Sequence, residues 1–517
     1  MNLGHTLRWA VHLRPSQIGW RLLRRLQRAF LQLPMGAPNG PLRFLTDPWP
    51  GNAENGKRIA SDGRILLLNL EHRLATPIDW HPCHKPALWR FTLHYFNWLA
   101  DLKAAGRADA ARALIADWIY QNTSPRSEGW HPYPLSLRLF AWLRHAPFVL
   151  EGADEHFRTL FLSSLDAQAR LLPRLIEYDV GGNHLIKNLK GLIAASACLP
   201  THIDGLSAWL EALRKQVDEQ ILPDGFHYER SPSYHLQVLV DLIDISDLMQ
   251  EPPAWLNETI ERMLPALATL RHPDGGLALF NDGDTGDAVL LEALDRRFGK
   301  PAPLPLLPDA GYARLEAGDM VVIFDAGLCC PDHLTAHAHA DTLSFEMSVG
   351  TQRVIVNSGT YAYQDPDWRN YFRSTAAHST IMVNGQNSAE VFATFRLGRR
   401  PAKAELFRDG DWIVGRHDGY RHLGITVERR LRLTAQGLEG EDRVIGAPNP
   451  LFSACFHMPS RDEEASGQFI RLSSEGQLAV HEGQYAPHFF EKVPARWLKL
   501  SPEPAGSNAI SWKINRL

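Results

Sequence analysis

The segment from His337 to Phe345 reads HAHADTLSF and sets two imidazoles and a carboxylate within five residues. Imidazoles titrate near neutrality, so they exchange protons or bind metals under ordinary conditions. Read as the start of an alternating strand, the segment puts His337 and His339 on one face, because successive strand side chains point to opposite sides. Three further stretches gather polar groups. In YDVGGNHLIKNLKGL a Gly-Gly turn delivers Asn183 and His184 to the first turn of a helix, whose free N–H groups favour bound anions. A plain N-cap asparagine and a surface histidine fit equally well. Lys187, Asn188 and Lys190 keep the same turn polar. DGFHYERSPSYHLQVL leads from Glu229, Arg230 and Ser231 into Tyr234 and His235 at another helix start. A serine cap with an aromatic staple is the simpler reading, although one cap needs fewer polar residues than these. YFRSTAAHSTIMVNG brings Arg373 and His378 to a strand edge, where a lone histidine is ordinarily hydrogen-bonded in a core.

The elements that must position these groups follow from periodicity. From Pro86 to Phe298 apolar residues recur at three- and four-residue steps, in segments such as ALWRFTLHYFNWLADL, PLSLRLFAWLRHA and YHLQVLVDLIDISDLM. Amphipathic helices joined by short connections, hence antiparallel pairs, are expected there. No fixed-period repeat occurs, which favours a layered or toroidal helical domain over a simple solenoid. After the proline-rich joint PAPLPLLPDAG the period becomes two. MVVIFDAG, LSFEMSVGTQRVIVNSG, STIMVNG, ITVERRLRLTAQGLEGEDRVIG and FIRLSSEGQLAVHEG alternate between Gly, Asn and Asp turns, as antiparallel strands do. The expected organisation is multidomain α+β: a basic helical arm over 1–60, a helical domain over 61–300 and an antiparallel β-sandwich over 301–517.

Composition bounds the partners. The chain of 517 residues exceeds one ordinary core, and 44% hydrophobic with 22% charged residues is a packed globular composition. A net charge of −4 supplies no global basic field, so nucleic acid is excluded as an expected partner. Five cysteines without paired C-x-x-C spacing argue against a disulfide framework or a thiolate zinc site and suit a reducing compartment. The opening MNLGHTLRWAVHLRPSQIGWRLLRRLQRAF is basic but holds neither a signal-peptide apolar core nor a small-residue cleavage site, so a cytoplasmic location is expected, with a periplasmic one as the alternative. Arg21, Arg24, Arg25 and Arg28 make one flank of this segment basic, which suits a solvated helix face or contact with a membrane surface. No transmembrane helix is expected.

In their order and spacing, LWRFTLHYFNWL, GWHPYPLSLR, GGNHLIKNLKGL, DGFHYERSPSYH, HAHADTLSFEMSVGTQRVIVNSGTYAY and RSTAAHSTIMVNG resemble the heparinase II/III and alginate lyase superfamily of polysaccharide lyases. The resemblance spans most of residues 86 to 390 and implies an (α/α) toroid, an incomplete barrel of helix pairs, followed by an antiparallel β-sandwich. It also implies β-elimination on an acidic, uronate-containing polysaccharide, without a cofactor for the chemistry. An ionised carboxylate beside C5 opposes further charge, so that group must be neutralised, an enolate-like intermediate stabilised, and a base and an acid supplied.

By that resemblance Asn183 and His184 match the carboxylate-binding pair, and Tyr234 the catalytic tyrosine. His337 matches the histidine that exchanges a proton across the sugar. Glu229, Arg230, His235 and Arg373 complete the polar surroundings, and Tyr361 and Arg138 are further substrate-binding candidates. Trp130 and Tyr133, together with Trp89, offer sugar-stacking faces. In some relatives a structural metal, often zinc, is held by positions that read His339, Asn357 and His378 here. Asparagine supplies a neutral oxygen where zinc ordinarily takes His, Cys or carboxylate, so a hydrogen-bonded cluster is the alternative. Two rival functions remain. A glycoside hydrolase would draw on Asp282, Asp284, Asp287 and Glu229 as carboxylate pairs. A non-catalytic polysaccharide-binding or assembly protein would keep the scaffold alone.

Overall fold

Where apolar residues recur at helical spacing, helices form, and where the spacing falls to two, strands form. The computed structural model describes residues 3–34, 36, 40–446, 448, 450–459, 470–503 and 506–517; Phe469, which opens the last expected strand segment, and the side chain of Arg28 lie outside the described residues. The chain divides into two compact units, one of Arg14–Gln220 with Val238–Ile260 and one of Met1–Leu13, Ile221–Gln237 and Glu261–Leu517.

The first of these is helical. Its long elements include Pro15–Ala29, Ala108–Gln121, Pro132–Leu150, Glu155–Leu171, Asn183–Cys198 and Leu206–Gln220, and Arg64–Leu67 pairs with Leu70–Arg73 as a small hairpin. The expected continuous helix over ALWRFTLHYFNWLADL is instead two, Ala87–Tyr95 and Leu99–Ala104, because Phe96 adopts a left-handed backbone with φ of 60°. Pro132–Leu150 and Asn183–Cys198 pack together and are buried on nearly every side, which an amphipathic reading does not anticipate. The second of them carries two lysines into this interior. Lys187 Nζ lies 2.6 Å from Asp241 Oδ2, and Lys190 Nζ lies 2.8 Å from Asp241 Oδ1 and also bonds Asp244.

The other unit is built on antiparallel sheets. Leu306–Leu307, Tyr312–Ala317, Met320–Asp325, Phe345–Val349 and Gln352–Ile355 follow one another as a meander. A six-stranded sheet runs Ala404–Asp409, Trp412–His417, Thr426–Thr434, Gly437–Ile445, Ala509–Arg516 and Ile470–Ser474. A third holds Gln477–Tyr485, Val493–Ser501, Phe452–Met458 and Ile381–Val383.

All three sheets contribute to one core. Met320, Val322 and Phe324 face it with Phe345, Val427, Leu431, Phe456 and Trp512. The alternate residues Val321 and Ile323 face a second cluster containing Phe226, Leu270, Phe280 and Tyr312. The central strand is therefore covered on both sides, which is why MVVIF reads as a continuous apolar run.

One expectation is corrected here. His337 and His339 do not open a strand, since the ladder begins only at Phe345. The preceding backbone groups are taken by loop partners: His339 N–H donates to Asn281 Oδ1 at 2.9 Å, Ala340 N–H donates to the Arg373 carbonyl at 3.0 Å, and Leu343 has φ of 68°.

Candidate functional site

What places the two imidazoles together is a single buried carboxylate. His337 Nδ1 lies 2.9 Å from Asp282 Oδ2, and His339 Nε2 lies 2.8 Å from Asp282 Oδ1. Arg369 grips the same carboxylate, with Nη2 2.9 Å from Oδ2 and Nη1 bonded to Oδ1. Burial alone would raise this carboxyl, but Arg369 and the two imidazoles outweigh it and hold Asp282 well below the usual range. An ionised carboxylate only accepts, so both histidines must donate to it. In its neutral form His337 then carries its lone pair on Nε2, and His339 carries its own on Nδ1.

The Tyr234 ring stacks on the His337 ring, with centroids 3.8 Å apart and planes inclined by 28°. Its hydroxyl lies 2.9 Å from that of Tyr363. Burial first, then Tyr363, Asp282 and Glu229, push the Tyr234 phenol well above its ordinary value, so it is a proton donor at neutral pH. Glu229 Oε2 lies 3.6 Å from His337 Nε2. Tyr234 occupies the first turn of the helix Pro232–Asp247, and Asn281 ties that region to the histidine loop. The Asn281 side chain donates to the Arg230 carbonyl at 2.6 Å and accepts from His339 N–H, while its own N–H donates to Asp341 Oδ2 at 2.9 Å.

Beside this cluster lies a group of donor atoms that suits a cation. One ligand atom each from His339, Asp341 and His378 falls within 4.8 Å of the others. Among the described residues His339 Nδ1, Asp341 Oδ1 and both ring nitrogens of His378 have no hydrogen bond of ordinary geometry. Burial pushes the Asp341 carboxyl up to about 6 and draws the His339 imidazole down to about 4 against the pull of Asp282, so the rings are neutral and ready to donate lone pairs. Two imidazoles and a carboxylate are a donor set that zinc accepts. Of the expected set, Asn357 Oδ1 accepts from Ser379 N–H at 3.1 Å, and Asp341 offers an anionic oxygen to the same two imidazoles.

In the helical unit Gly181 and Gly182, with φ of 81° and 59°, turn the chain into Asn183–Cys198. Asn183 is buried, and its Oδ1 accepts from the Tyr133 hydroxyl at 3.5 Å. The Tyr133 ring also packs on His184 at 4.4 Å. His184 Nδ1 lies 3.1 Å from Glu177 Oε1, and Asn188 Nδ2 donates to Glu177 Oε2 at 3.1 Å. Burial would raise the Glu177 carboxyl, yet His184, His131 and Arg24 prevail and hold it at about 2.

Several expected ligand contacts are engaged within the protein: Arg138, Trp130, Trp89, His235 and Arg373 are buried, and Arg230 and Tyr361 are half-buried. Arg138 is fully enclosed, donating to Gln168 Oε1 at 2.9 Å and lying 3.9 Å from the Trp118 ring centroid. Trp130 is buried with its indole N–H on the Asn122 carbonyl, and Trp89 is buried with its own on the Leu70 carbonyl. His235 is used up by His227 N–H at 3.1 Å, by the Met263 carbonyl at 3.0 Å and by stacking on Phe226. Arg373, also fully buried, donates to the carbonyls of Ala338, Ala393, Thr394 and Arg396 and so staples the histidine loop. Arg230, at φ of 54°, donates to the Ala310 and Asp309 carbonyls. Tyr361 packs among Trp368, Phe372 and Phe490 under Lys492.

Sequence reasoning missed Asp282 as the partner of both histidines, and with it Arg369, Tyr363, Asn281, Asp341 and Glu177. Asp282 was visible in NDGDTGD, but its role depends on a contact 55 residues away in the chain. Tyr363 sits two residues from Tyr361 in the same motif. The neighbouring acids of that segment do local work: Asp284 bonds Ser233 and Gly286 N–H, and Asp287 caps the helix Ala288–Phe298.

Comparison with known proteins gives one family. Residues 71–299 match the description Heparinase II/III N-terminus, and residues 299–513 match Heparinase II/III-like, C-terminal. The chain is 30% identical over 455 residues to FtsZ-localized protein C of Caulobacter vibrioides, covering 80% of this chain and 74% of that protein. It is 22% identical over 415 residues to a heparin-sulfate lyase of Bacteroides stercoris, covering 67% of this chain and 60% of that one. Among solved structures, Heparinase III superposes with a TM-score of 0.74 at 16% identity over 97% of this chain and 92% of its own. The heparan sulfate lyase HepC of Pedobacter heparinus gives 0.57 at 17% identity over 95% and 87%. At such identities the likeness establishes the fold, a helical toroid followed by an antiparallel β-sandwich. With its two matched halves meeting at residue 299, this chain belongs to the heparinase II/III-like family.

Proposed function

We propose that the protein is a polysaccharide lyase that cleaves a uronic-acid-containing polysaccharide by β-elimination and releases unsaturated oligosaccharides. The observation that carries this reading is the stack of Tyr234 on His337 at 3.8 Å, with Asp282 fixing the imidazole from behind. His337 Nε2 takes the C5 proton. The C4–O bond breaks, the C4–C5 double bond forms, and the departing oxygen receives the Tyr234 phenolic proton. Asp282 and Glu229 stabilise the imidazolium that forms on His337, and Tyr363 holds the Tyr234 hydroxyl in place. Asn183 and His184 are assigned to the substrate carboxylate on the strength of the family motif, with Tyr133 and Glu177 fixing their side chains. His339, Asp341 and His378 would hold a divalent metal, zinc being the ion their chemistry suits, in a structural role outside the proton transfers.

A second reading, a non-catalytic assembly protein on a lyase scaffold, is supported by the 30% identity to a protein named for its localisation with FtsZ. One experiment separates the readings. The chain is incubated with heparan sulfate, chondroitin, hyaluronan and alginate while near-ultraviolet absorbance and reducing ends are followed. An unsaturated uronate chromophore supports the lyase. New reducing ends without it would indicate hydrolysis, and neither product from any uronate polymer would favour the assembly role.

A further inference from the structure

The helix Pro15–Ala29 sits on its unit the wrong way round for a soluble protein. Its polar side is the docked side: Arg24 Nη1 donates to Asp179 Oδ1 at 2.5 Å, Gln17 Nε2 reaches the Asp179 carbonyl at 3.5 Å, and Trp20 packs on Tyr178 with centroids 4.8 Å apart. Gln17, Trp20 and Arg24 follow one another at three- and four-residue steps, which is one helical face. The opposite face is apolar and open to solvent. Ile18, Leu22, Leu26 and Phe30 recur every four residues and are 48%, 58%, 64% and 84% exposed, with Leu23 beside them at 41%. Single exposed apolar residues are ordinary, whereas a continuous stripe marks a surface that something covers. The helix Leu3–Ala10 of the other unit repeats the feature independently, with Leu3, Leu7 and Val11 all more than half exposed at four-residue steps.

The charge around the stripe names the covering surface. Before Asp47 the sequence carries seven arginines and no acidic residue, within a chain whose net charge is −4; Arg8, Arg14 and Arg24 are paired with Glu390, Glu219 and Asp179. Arg25, one residue short of Leu26, is exposed on the flank of the stripe. An apolar helical face with a cationic flank and no anions is what an anionic lipid surface binds: leucine and phenylalanine enter the acyl boundary while guanidinium groups meet phosphate. A protein groove would supply the apolar contact but gives no reason for so complete an exclusion of acids. No helix among the described residues is long and apolar enough to cross a membrane, so the contact is one of lying on the surface.

We infer that the helix Pro15–Ala29 is an interfacial docking element by which the protein attaches to anionic phospholipid membranes. The inference is independent of the lyase reading and survives its failure.

The test is flotation of the full chain with vesicles of equal parts phosphatidylglycerol and phosphatidylcholine, and with phosphatidylcholine alone. The protein floats with the mixed vesicles, not with the neutral ones, and added salt weakens the attachment. The double variant Leu22→Glu/Leu26→Glu, altered only on the exposed face, keeps the wild-type melting curve and loses affinity about a hundredfold. Arg25→Glu alone lowers affinity by roughly fivefold or more. Absence of flotation for the wild type, or equal flotation of the double variant, would overturn the inference. So would a wild-type dimer that the double variant converts to monomer without any lipid binding, since the face would then pair with a second copy.

Discussion

The two units handle buried charge in opposite ways. In the helical unit Lys187 and Lys190 enter the interior alongside their counter-ions Asp241 and Asp244, Arg144 also pairs with Asp244, and Trp49 donates to it at 2.6 Å. There Lys187, Lys190 and Arg144 each have an anion at contact distance, while Arg138 is held by Gln168 and backbone carbonyls, and the Asp244 carboxyl, which burial would raise, is held at about 2 by Lys190 and Arg144. In the β unit the carboxylate of Asp282 is equally well provided for, but its neighbour Asp341 is not. His339, Asp341 and His378 bring acceptor atoms together that have no hydrogen bond of ordinary geometry among the described residues, and burial moves the Asp341 carboxyl up. A completed network holds a fold together, while an incomplete one points to something that binds.

That contrast can be broken experimentally, beginning where the effect is greatest. Lys190→Met leaves Asp244 and Asp241 short of a counter-ion and should lower stability by about 3–5 kcal/mol in urea unfolding. A loss below about 1 kcal/mol would mean that the lysine network is not structural.

The pH dependence of the same unit gives a second measure. Glu177 is held at about 2 against an ordinary 4.5, so its contribution is fully present above pH 4.5 and is lost as pH falls towards 2. Unfolding measured across that window should show a decline of about 3 kcal/mol that Glu177→Gln removes.

The β-unit pocket should behave in the opposite sense. After chelation, added zinc should raise stability by about 2.7 kcal/mol at a hundredfold excess over its dissociation constant, with bound metal found by elemental analysis. Asp341→Asn should abolish zinc binding while costing the metal-free protein less than about 1 kcal/mol, because it removes an unneutralised carboxylate. Asn357→Ala should still bind zinc, and its failure to do so would return that residue to the ligand set.

Periodicity carried much of the architecture. The change from helical to alternating spacing near residue 300 is real, and the glycine pair before Asn183 turns the chain as its sequence suggests. Tyr234 and His337 were legible because each stands in an unusually polar local segment, and the structure stacks them. Burial was less legible. Arg138 and Trp130 look like ligand contacts in GWHPYPLSLR, but the helix that follows is enclosed on nearly all sides, and periodicity does not separate an enclosed helix from an amphipathic one. The partner of the two histidines was hidden for another reason: Asp282 meets them through a long-range contact, and local spacing holds no record of such contacts. The histidine segment itself read as strand because its composition alternates, while its N–H groups are spent on Asn281 and Arg373.

The central claim is that the Tyr234 hydroxyl delivers the proton that lets the glycosidic oxygen leave, beside an imidazole set by Asp282. Its most direct test compares wild type and Tyr234→Phe for turnover and binding on whichever uronate polymer yields the unsaturated product. The phenyl ring keeps its stack on His337 and loses only the hydroxyl, so affinity should stay within about threefold while turnover falls by roughly a hundredfold to ten-thousandfold. Turnover equal to that of the wild type would remove Tyr234 from the chemistry and contradict the account.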